Sequence, residues 1–203
     1  MMKSPLLPVL IAAAVTVLIG IGVRMEPYFA GDVAAARAIQ SASQAPEWWA
    51  RPISNLAPAP GKYYVVAIVL TAALFVAGWR GVALLTAFLL VEQYGAEYTK
   101  AIFQRPRPSR DLIAVIGTPS GLSFPSTTMT FLSVTIGGLG VLAAMLKKAP
   151  YRVPIMAATF SVLALGGLAR VALGAHWPSD VVLTVAVCLT WIWATARVVL
   201  KNA

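Results

Sequence analysis

The sequence predicts an all-α, polytopic membrane protein whose six transmembrane helices form one bundle. Of its 203 residues, 59% are hydrophobic and only 11% are charged, whereas about a quarter of a soluble domain is charged. The apolar residues fall into six runs, each long enough to cross the hydrocarbon core of a bilayer as a helix. Because no internal repeat or shift in composition divides them, residues 1–203 are expected to form a single domain.

The predicted spans follow one another with mostly short connections. They cover residues 6–23, 63–79, 81–100, 126–146, 153–173 and 180–200. The first run is longer than the apolar region of a signal peptide, so a retained helix is expected in place of a cleaved signal. The connection at residues 24–62 predicts a short helix starting near Asp32. We expect it to pack at the membrane interface through Trp48 and Trp49 more than to cover a functional site.

An even number of spans places both termini on one side of the membrane. The basic residues expected on that side are Lys3, Arg80, Lys147, Lys148, Arg152, Arg197 and Lys201. Because basic connections face the cytoplasm, the sequence predicts cytoplasmic termini in a cytoplasmic (inner) membrane and a site at its outer or periplasmic face. The same rule accounts for the net charge of +9, so a nucleic-acid partner is not expected. Membrane lipids are the expected surroundings. The sequence indicates no protein partner.

Histidine and cysteine each occur once, as His176 and Cys188. A single cysteine excludes an intrachain disulfide and a cysteine-based zinc site, and one histidine leaves little for a transition metal. We therefore expect chemistry without a metal ion or another cofactor.

The only histidine lies among cations at the ends of three predicted spans. The four groups expected to meet there are Lys100, Arg107, Arg170 and His176. Three cations and an imidazole at one membrane face suit an anion with several oxygens. Asp180, four residues after the histidine, could orient the imidazole and stabilise its charged form. The alternative is that these cations only contact lipid headgroups. This alternative can explain any single one of them, but it explains the whole set less well.

Neighbouring groups could support this cluster. The fourth span begins at Ser126, where free backbone amides and the positive end of the helix dipole suit phosphate. Glu97 can pair with Lys100 three residues later on a helix. Glu92 is expected to partner a site cation, because Glu92 and Lys100 lie about two turns apart on one face.

Two of these spacings resemble signatures of the type 2 phosphatidic acid phosphatase superfamily. Residues 100–108, with lysine, six residues and Arg-Pro, are similar to its first signature. Residues 170–180, with arginine, five residues, histidine, three residues and aspartate, are similar to its third. Residues 125–128, Pro-Ser-Thr-Thr, stand where the second signature has Pro-Ser-Gly-His. The resemblance extends over nearly the whole chain, because the order of the motifs and the six-span layout also agree.

This resemblance implies a role for each matching residue. Phosphate binding is implied for Lys100, Arg107, Ser126, Thr127 and Arg170. His176 would attack phosphorus and form a phosphohistidine, with Asp180 orienting its ring, and no metal would be required. Thr128 stands where the family has a second histidine, which protonates the leaving oxygen, and Thr128 and Glu97 are kept as supporting candidates. The segment at residues 119–122, Pro-Ser-Gly-Leu, also lacks that histidine and is interpreted as a loop outside the motif.

Two departures from the family pattern bear on function. Ala169 replaces the serine usual before the third-motif arginine, which removes one minor hydrogen bond. More seriously, Thr128 cannot donate a proton at neutral pH, and general acid catalysis is typically worth about 10² to 10⁴ in rate. A phosphate leaving group, whose conjugate acid has a pKa near 6, hardly needs that proton.

The resemblance therefore implies a membrane lipid phosphatase acting on a lipid phosphate or a polyprenyl diphosphate. Two alternatives stay open: a catalytically impaired relative that binds lipid phosphate without turnover, and a lipid phosphotransferase. A transporter is disfavoured, because the ionisable residues cluster at one face and not along a path through the membrane.

Overall fold

The computed structural model describes residues 6–145 and 150–200, and in these ranges helices alternate with irregular connections. The predicted all-α class is confirmed. The helices are α1 (Leu7–Met25), α2 (Asp32–Ala42), α3 (Pro46–Ser54), α4 (Gly61–Phe103), α5 (Thr127–Met145), α6 (Arg152–Ala172) and α7 (Pro178–Val199). Within the described ranges, α1 and α4 to α7 are long and apolar enough to cross a membrane.

Helix α4 contains two spans. With 43 residues it would be about 65 Å long if straight, roughly twice the thickness of a bilayer core. It is interrupted at Gly78, whose φ of 65° and ψ of −167° are not helical. The chain folds back at Gly78. The evidence is the distance between Lys62 Nζ and Glu92 Oε2, which is 3.6 Å, whereas a straight helix would hold these residues about 45 Å apart. Counting α4 as two, the described residues therefore contain six candidate spans, as predicted.

The pairing expected for Glu92 is wrong. Because α4 folds back at Gly78, the start of its first half lies beside its second half. Glu92 is therefore paired with Lys62 and not with a cation of the candidate site. Lys62 also donates a hydrogen bond to Gln93. These contacts bind the two halves of α4 to each other inside the bundle.

Helix α5 lies at the centre of the bundle and is the most buried of the spans. Its middle, Ser133–Gly137, is wound as a π-helix, which the sequence did not predict. The small residues that follow allow close packing against neighbouring helices. A Cβ at Gly138 would lie 2.5 Å from Leu85 of α4, and one at Gly140 would lie 2.7 Å from Thr159 of α6.

The first span is an integral part of the bundle. Helix α1 packs along α7, where Trp191 Nε1 donates to Thr16 Oγ1 at 2.8 Å. Gly20 of α1 lies against the ring of Phe103 at the end of α4. Helix α1 therefore closes one flank of the bundle beside the ends of α4 and α7.

The C-terminal ends of α4 and α6 and the N-terminal ends of α5 and α7 lie on the same side of the bundle. The connection at residues 104–126 crosses this side. It is held by hydrogen bonds from Ser123 N to Arg105 O at 2.8 Å and from Ile116 N to Leu173 O at 3.0 Å. Sequence-distant polar residues are thereby brought to one place.

The opposite side carries the basic residues Arg80, Arg152 and Arg197, at the reversal of α4, the start of α6 and the end of α7. The other basic residues used to predict the orientation, Lys3, Lys147, Lys148 and Lys201, lie outside the described residues. The predicted orientation in the membrane stays a prediction.

Two glycines with positive φ provide a matched test of this packing. Gly174 has a φ of +68°, and a Cβ there would lie 2.0 Å from Ala114 O, whereas a Cβ at Gly78 would meet nothing within 4 Å. Gly78→Ala should cost only backbone strain, about 1 to 3 kcal/mol. Gly174→Ala should add overpacking and lower the free energy of unfolding by about 4 kcal/mol. Equal losses in a denaturant titration in detergent would contradict this packing.

Candidate active site

His176 lies in the short turn between α6 and α7 and is 1% exposed. Its Nε2 is 3.2 Å from Nη1 of Arg107. Its Nδ1 faces Ser123 Oγ at 3.5 Å and Asp180 Oδ2 at 3.8 Å. An arginine can only donate hydrogen bonds, so Nε2 must be the acceptor and the ring proton belongs on Nδ1. This tautomer leaves a lone pair on Nε2 on the side of the arginine.

Asp180 is fixed by hydrogen bonds to both of its carboxylate oxygens. Oδ2 accepts from Ser123 Oγ at 2.5 Å and from the backbone amide of Trp177 at 2.9 Å. The second of these bonds caps the N-terminus of α7, where an acidic residue in the first turn is favourable. Oδ1 accepts from Nη1 of Arg105 at 2.6 Å. The carboxylate therefore has a single orientation, with Oδ2 towards the imidazole.

Arg107 is held by the backbone on both sides of the site. Its Nη1 donates to Ala175 O at 2.6 Å, and its Nε donates to Ser120 O at 2.9 Å and Gly121 O at 3.2 Å. The segment at residues 119–122 is a loop, as predicted, but it also supports this arginine, which the sequence did not indicate. Burial lowers the pKa of Arg107, and the charge of Asp180 opposes that shift.

Within the ranges that the structure describes, three buried polar atoms near this cluster lack hydrogen-bond partners: Nε of Arg170, Oγ of Ser126 and Nε of Arg105. Nε of Arg170 is buried without a hydrogen bond, and in the described part of the chain its guanidinium forms no ion pair. Ser126 Oγ is likewise buried and unpaired, while the Ser126 amide donates to Thr184 Oγ1 at 3.2 Å. Burying an unpaired cation beside another cation, Arg107, is unfavourable. An anion with several oxygens would satisfy both arginines.

The structure does not bring every predicted residue to His176. Lys100 Nζ lies 3.3 Å from Glu97 Oε1, an i,i+3 pair as expected. Because the Glu97 side chain is 85% exposed, this pair contributes little to stability. No contact among the described residues joins Lys100 to His176. Thr127 and Thr128 form the first turn of α5, where Thr127 is half-buried and Thr128 is buried.

Three residues at the site were missed. The sequence analysis assigns no role to Ser123 or Arg105, although Arg105 is part of an Arg-Pro-Arg-Pro sequence, which is a signal for it. Asp32, expected only to start a helix, accepts from the Ser179 amide at 2.9 Å and lies 3.2 Å from Arg105. The connection at residues 24–62 therefore reaches the site, which corrects the expectation that it packs mainly at the interface.

Burial lowers the pKa of His176 to about 4; the hydrogen bond to Asp180 opposes this shift, and the charges of Arg170 and Arg107 add to it. Since the folded-state pKa lies below the unfolded value of about 6.5, the neutral imidazole contributes stability that is complete above pH 6.5 and is lost as the pH falls through 4.

Because His176 is the only histidine, its titration can be followed directly. Protein labelled with ¹³C-histidine and purified with a histidine-free tag should give one NMR signal that titrates near pH 4. A midpoint near 6.5 would show that the imidazole is hydrated and not enclosed as described.

Residues 80–203, more than half of the chain, match the PAP2 superfamily. The chain belongs to this superfamily. A related PAP2 sequence is decaprenylphosphoryl-5-phosphoribose phosphatase of Mycolicibacterium smegmatis, 40% identical over 84 residues. That match covers 41% of this chain and 41% of the relative, so it spans less than half of the length of that protein.

The PAP2 fold is also found in a crystal structure. The chain is similar to a transmembrane PAP2-type phosphatidylglycerolphosphate phosphatase from Bacillus subtilis, with a TM-score of 0.71 and 18% sequence identity. The similarity covers 99% of this chain and 98% of the other, and it shows a shared fold. The predicted family is confirmed: this is an integral membrane protein of a phosphatase family, with relatives that are phosphoester hydrolases.

Proposed function

We propose that this PAP2 protein hydrolyses a lipid phosphate or a polyprenyl diphosphate through a phosphohistidine at Nε2 of His176. The observation that supports this best is the environment of the imidazole. Nε2 carries its lone pair beside Arg107 at 3.2 Å, while Nδ1 is directed at Ser123 and Asp180. A nucleophile, a group that orients it and a cation for the transferred phosphoryl group are the parts such a reaction needs.

The reaction has two steps. In the first, the Nε2 lone pair forms a bond to phosphorus while the bond from phosphorus to the leaving oxygen breaks, and that oxygen keeps the electron pair. Arg107 and Arg170 stabilise the equatorial oxygens, and Asp180 stabilises the charge that the ring acquires. In the second, water attacks phosphorus, the electron pair of the P–N bond returns to Nε2, and inorganic phosphate leaves with the oxygen and the protons of the water.

A lipid substrate is supported by an apolar cavity of about 430 Å³ beside the site. Phe124, Pro125 and Thr127 line its end next to Ser126, and Trp191 and Val187 line its wall deeper in the bundle. A cavity in this position can hold part of a hydrocarbon tail while the phosphate lies at the arginines. The name of the mycobacterial relative, which acts on a decaprenylphosphoryl compound, favours a polyprenyl tail.

The proposal includes a location. We infer that residues 1–203 act as a single domain in the cytoplasmic membrane, with cytoplasmic termini and the site at the outer face. Arg80, Arg152 and Arg197, on the side away from His176, support this orientation. A cysteine-accessibility assay in intact cells tests it, and labelling of an introduced Arg110→Cys from the outside is the expected result.

The leaving group provides the sharpest test of substrate class. Since Thr128 cannot act as the acid, a prenyl diphosphate should be hydrolysed about 10² to 10⁴ times faster than the matching prenyl monophosphate. The measurement is phosphate release by purified protein in detergent at saturating substrate, with His176→Ala as the blank. Faster release from the monophosphate would contradict the preference.

Thr128 also favours a second candidate, a protein that binds lipid phosphate without turning it over. In that case both substrates would bind and neither would release phosphate. Burst measurements with a diphosphate would then show no phosphoenzyme, whereas the proposed mechanism predicts one on His176.

A further inference from the structure

Arg105 is a buried arginine held between two carboxylates. Only 1% of its surface is exposed. Nη1 donates to Asp180 Oδ1 at 2.6 Å, and Nη2 lies 3.2 Å from Asp32 Oδ2. Both carboxylates are buried as well. The arginine therefore connects the residue that orients His176 to the first residue of α2.

Ser179 closes this arrangement into a ring. Its hydroxyl accepts from Arg105 Nη1 at 2.9 Å and donates to Asp32 Oδ2 at 2.6 Å, and its amide donates to Asp32 Oδ1 at 2.9 Å. Oδ2 of Asp32 also accepts from the Phe29 amide at 2.8 Å. The arginine lies over the Phe29 ring, 4.7 Å from its centre. Both carboxylate oxygens of Asp32 therefore accept hydrogen bonds. In the sequence, Asp32 lies 148 positions before Asp180.

We propose that Arg105 and Asp32 are positioning residues of the active centre, which act on His176 through Asp180. The inference rests on the proposed function, since it assigns these residues to the same reaction. Arg105 fixes one oxygen of Asp180 so that the other faces the imidazole. Asp32 fixes Arg105 from the far side and supplies a second negative charge.

The charges explain why Asp32 is more than a helix cap. One arginine between two carboxylates leaves this buried group with an excess of one negative charge, next to a neutral imidazole. When Nε2 bonds to phosphorus, the ring becomes positive, and the excess charge is balanced. Without Asp32, the positive charge of Arg105 would be balanced by Asp180 only. Asp180 would then stabilise a positive charge on the imidazole less well. Loss of Asp32 should therefore slow the chemical step more than it weakens substrate binding.

The test compares Asp32→Asn with Glu47→Gln, the same change of acid to amide in the same connection. Glu47 is exposed, and among the described residues its ion pair is with Arg51, at 3.0 Å. We expect Asp32→Asn to lower kcat by about 10- to 100-fold with KM changed by less than about threefold. Asp32→Glu should restore part of the rate, and Glu47→Gln should match the unaltered protein.

A second measurement distinguishes an electrostatic effect of Asp32 on His176 from a general loosening of the fold. With inorganic phosphate bound, the NMR titration midpoint of His176 should be lower in Asp32→Asn than in the unaltered protein, because one negative charge is missing. A loosened site would instead shift it upward, towards about 6.5. If Asp32→Asn does not fold, Ser179→Ala and Arg105→Lys are used, since a lysine cannot hold two carboxylates with one rigid fork.

The outcomes are distinct. If Asp32→Asn equals Glu47→Gln in both kcat and the His176 midpoint, or if its midpoint rises, the inference is overturned. If the unaltered protein releases no phosphate from any lipid substrate, the proposed function fails, and the midpoint alone then decides on the roles of Arg105 and Asp32.

Discussion

Replacing His176 with alanine should reduce phosphate release by about 10⁴-fold or more, because the substitution removes the proposed nucleophile. In the described part of the chain, the arginines and Ser126 would remain to hold the substrate. We therefore expect KM to change much less than kcat. The measurement is phosphate release from a prenyl diphosphate by protein purified in detergent.

Binding of the same lipid to His176→Ala provides the control. Retained binding with lost release identifies the imidazole as the reacting group. Release that persists in His176→Ala at more than about one hundredth of the original rate would rule out a phosphohistidine as the main route.

The second large effect is expected at Arg107. Its Nη1 lies 3.2 Å from His176 Nε2, the proposed attacking nitrogen, and removing one such donor from a site that stabilises developing charge typically costs about 10² to 10³ in rate. Arg107→Gln should lower kcat/KM by about that factor. Arg110→Gln is the matched control, because Arg110 is exposed and donates to Gly117 O at 2.8 Å, away from the imidazole.

Arg107→Gln should also change the state of His176. With the neighbouring cation removed, protonation of the imidazole becomes easier, so its pKa should rise from about 4. A variant with low activity and an unchanged histidine titration would place Arg107 away from the attacking nitrogen. Equal losses in Arg107→Gln and Arg110→Gln would indicate a general effect of surface charge.

The spans could be predicted from the sequence because hydropathy depends on composition over about 20 residues. Even the reversal of α4 was expected within two residues of Gly78, since Arg80 interrupts the apolar run there. The π-helical segment of α5 could not be predicted, because it depends on how this helix packs against three neighbours.

The sequence predicts which polar residues lie close together where spacing along one helix end is enough, and it does not where tertiary packing decides. His176 and Asp180 are one helical turn apart across the start of α7, so their proximity follows from the sequence. Arg105 and Asp32 are brought together only by the tertiary fold. Lys100 ends the correct helix, but its ammonium is directed at Glu97, and the direction of a long side chain cannot be read from spacing.

The reversal at Gly78 also affects how the protein is made. Two spans joined by a single non-helical residue have no loop that could stay behind in the aqueous phase while one of them enters the bilayer. We expect them to enter the bilayer together, as one helical hairpin. The Lys62–Glu92 pair then forms within this unit, so the buried carboxylate of Glu92 enters the membrane with a cation beside it.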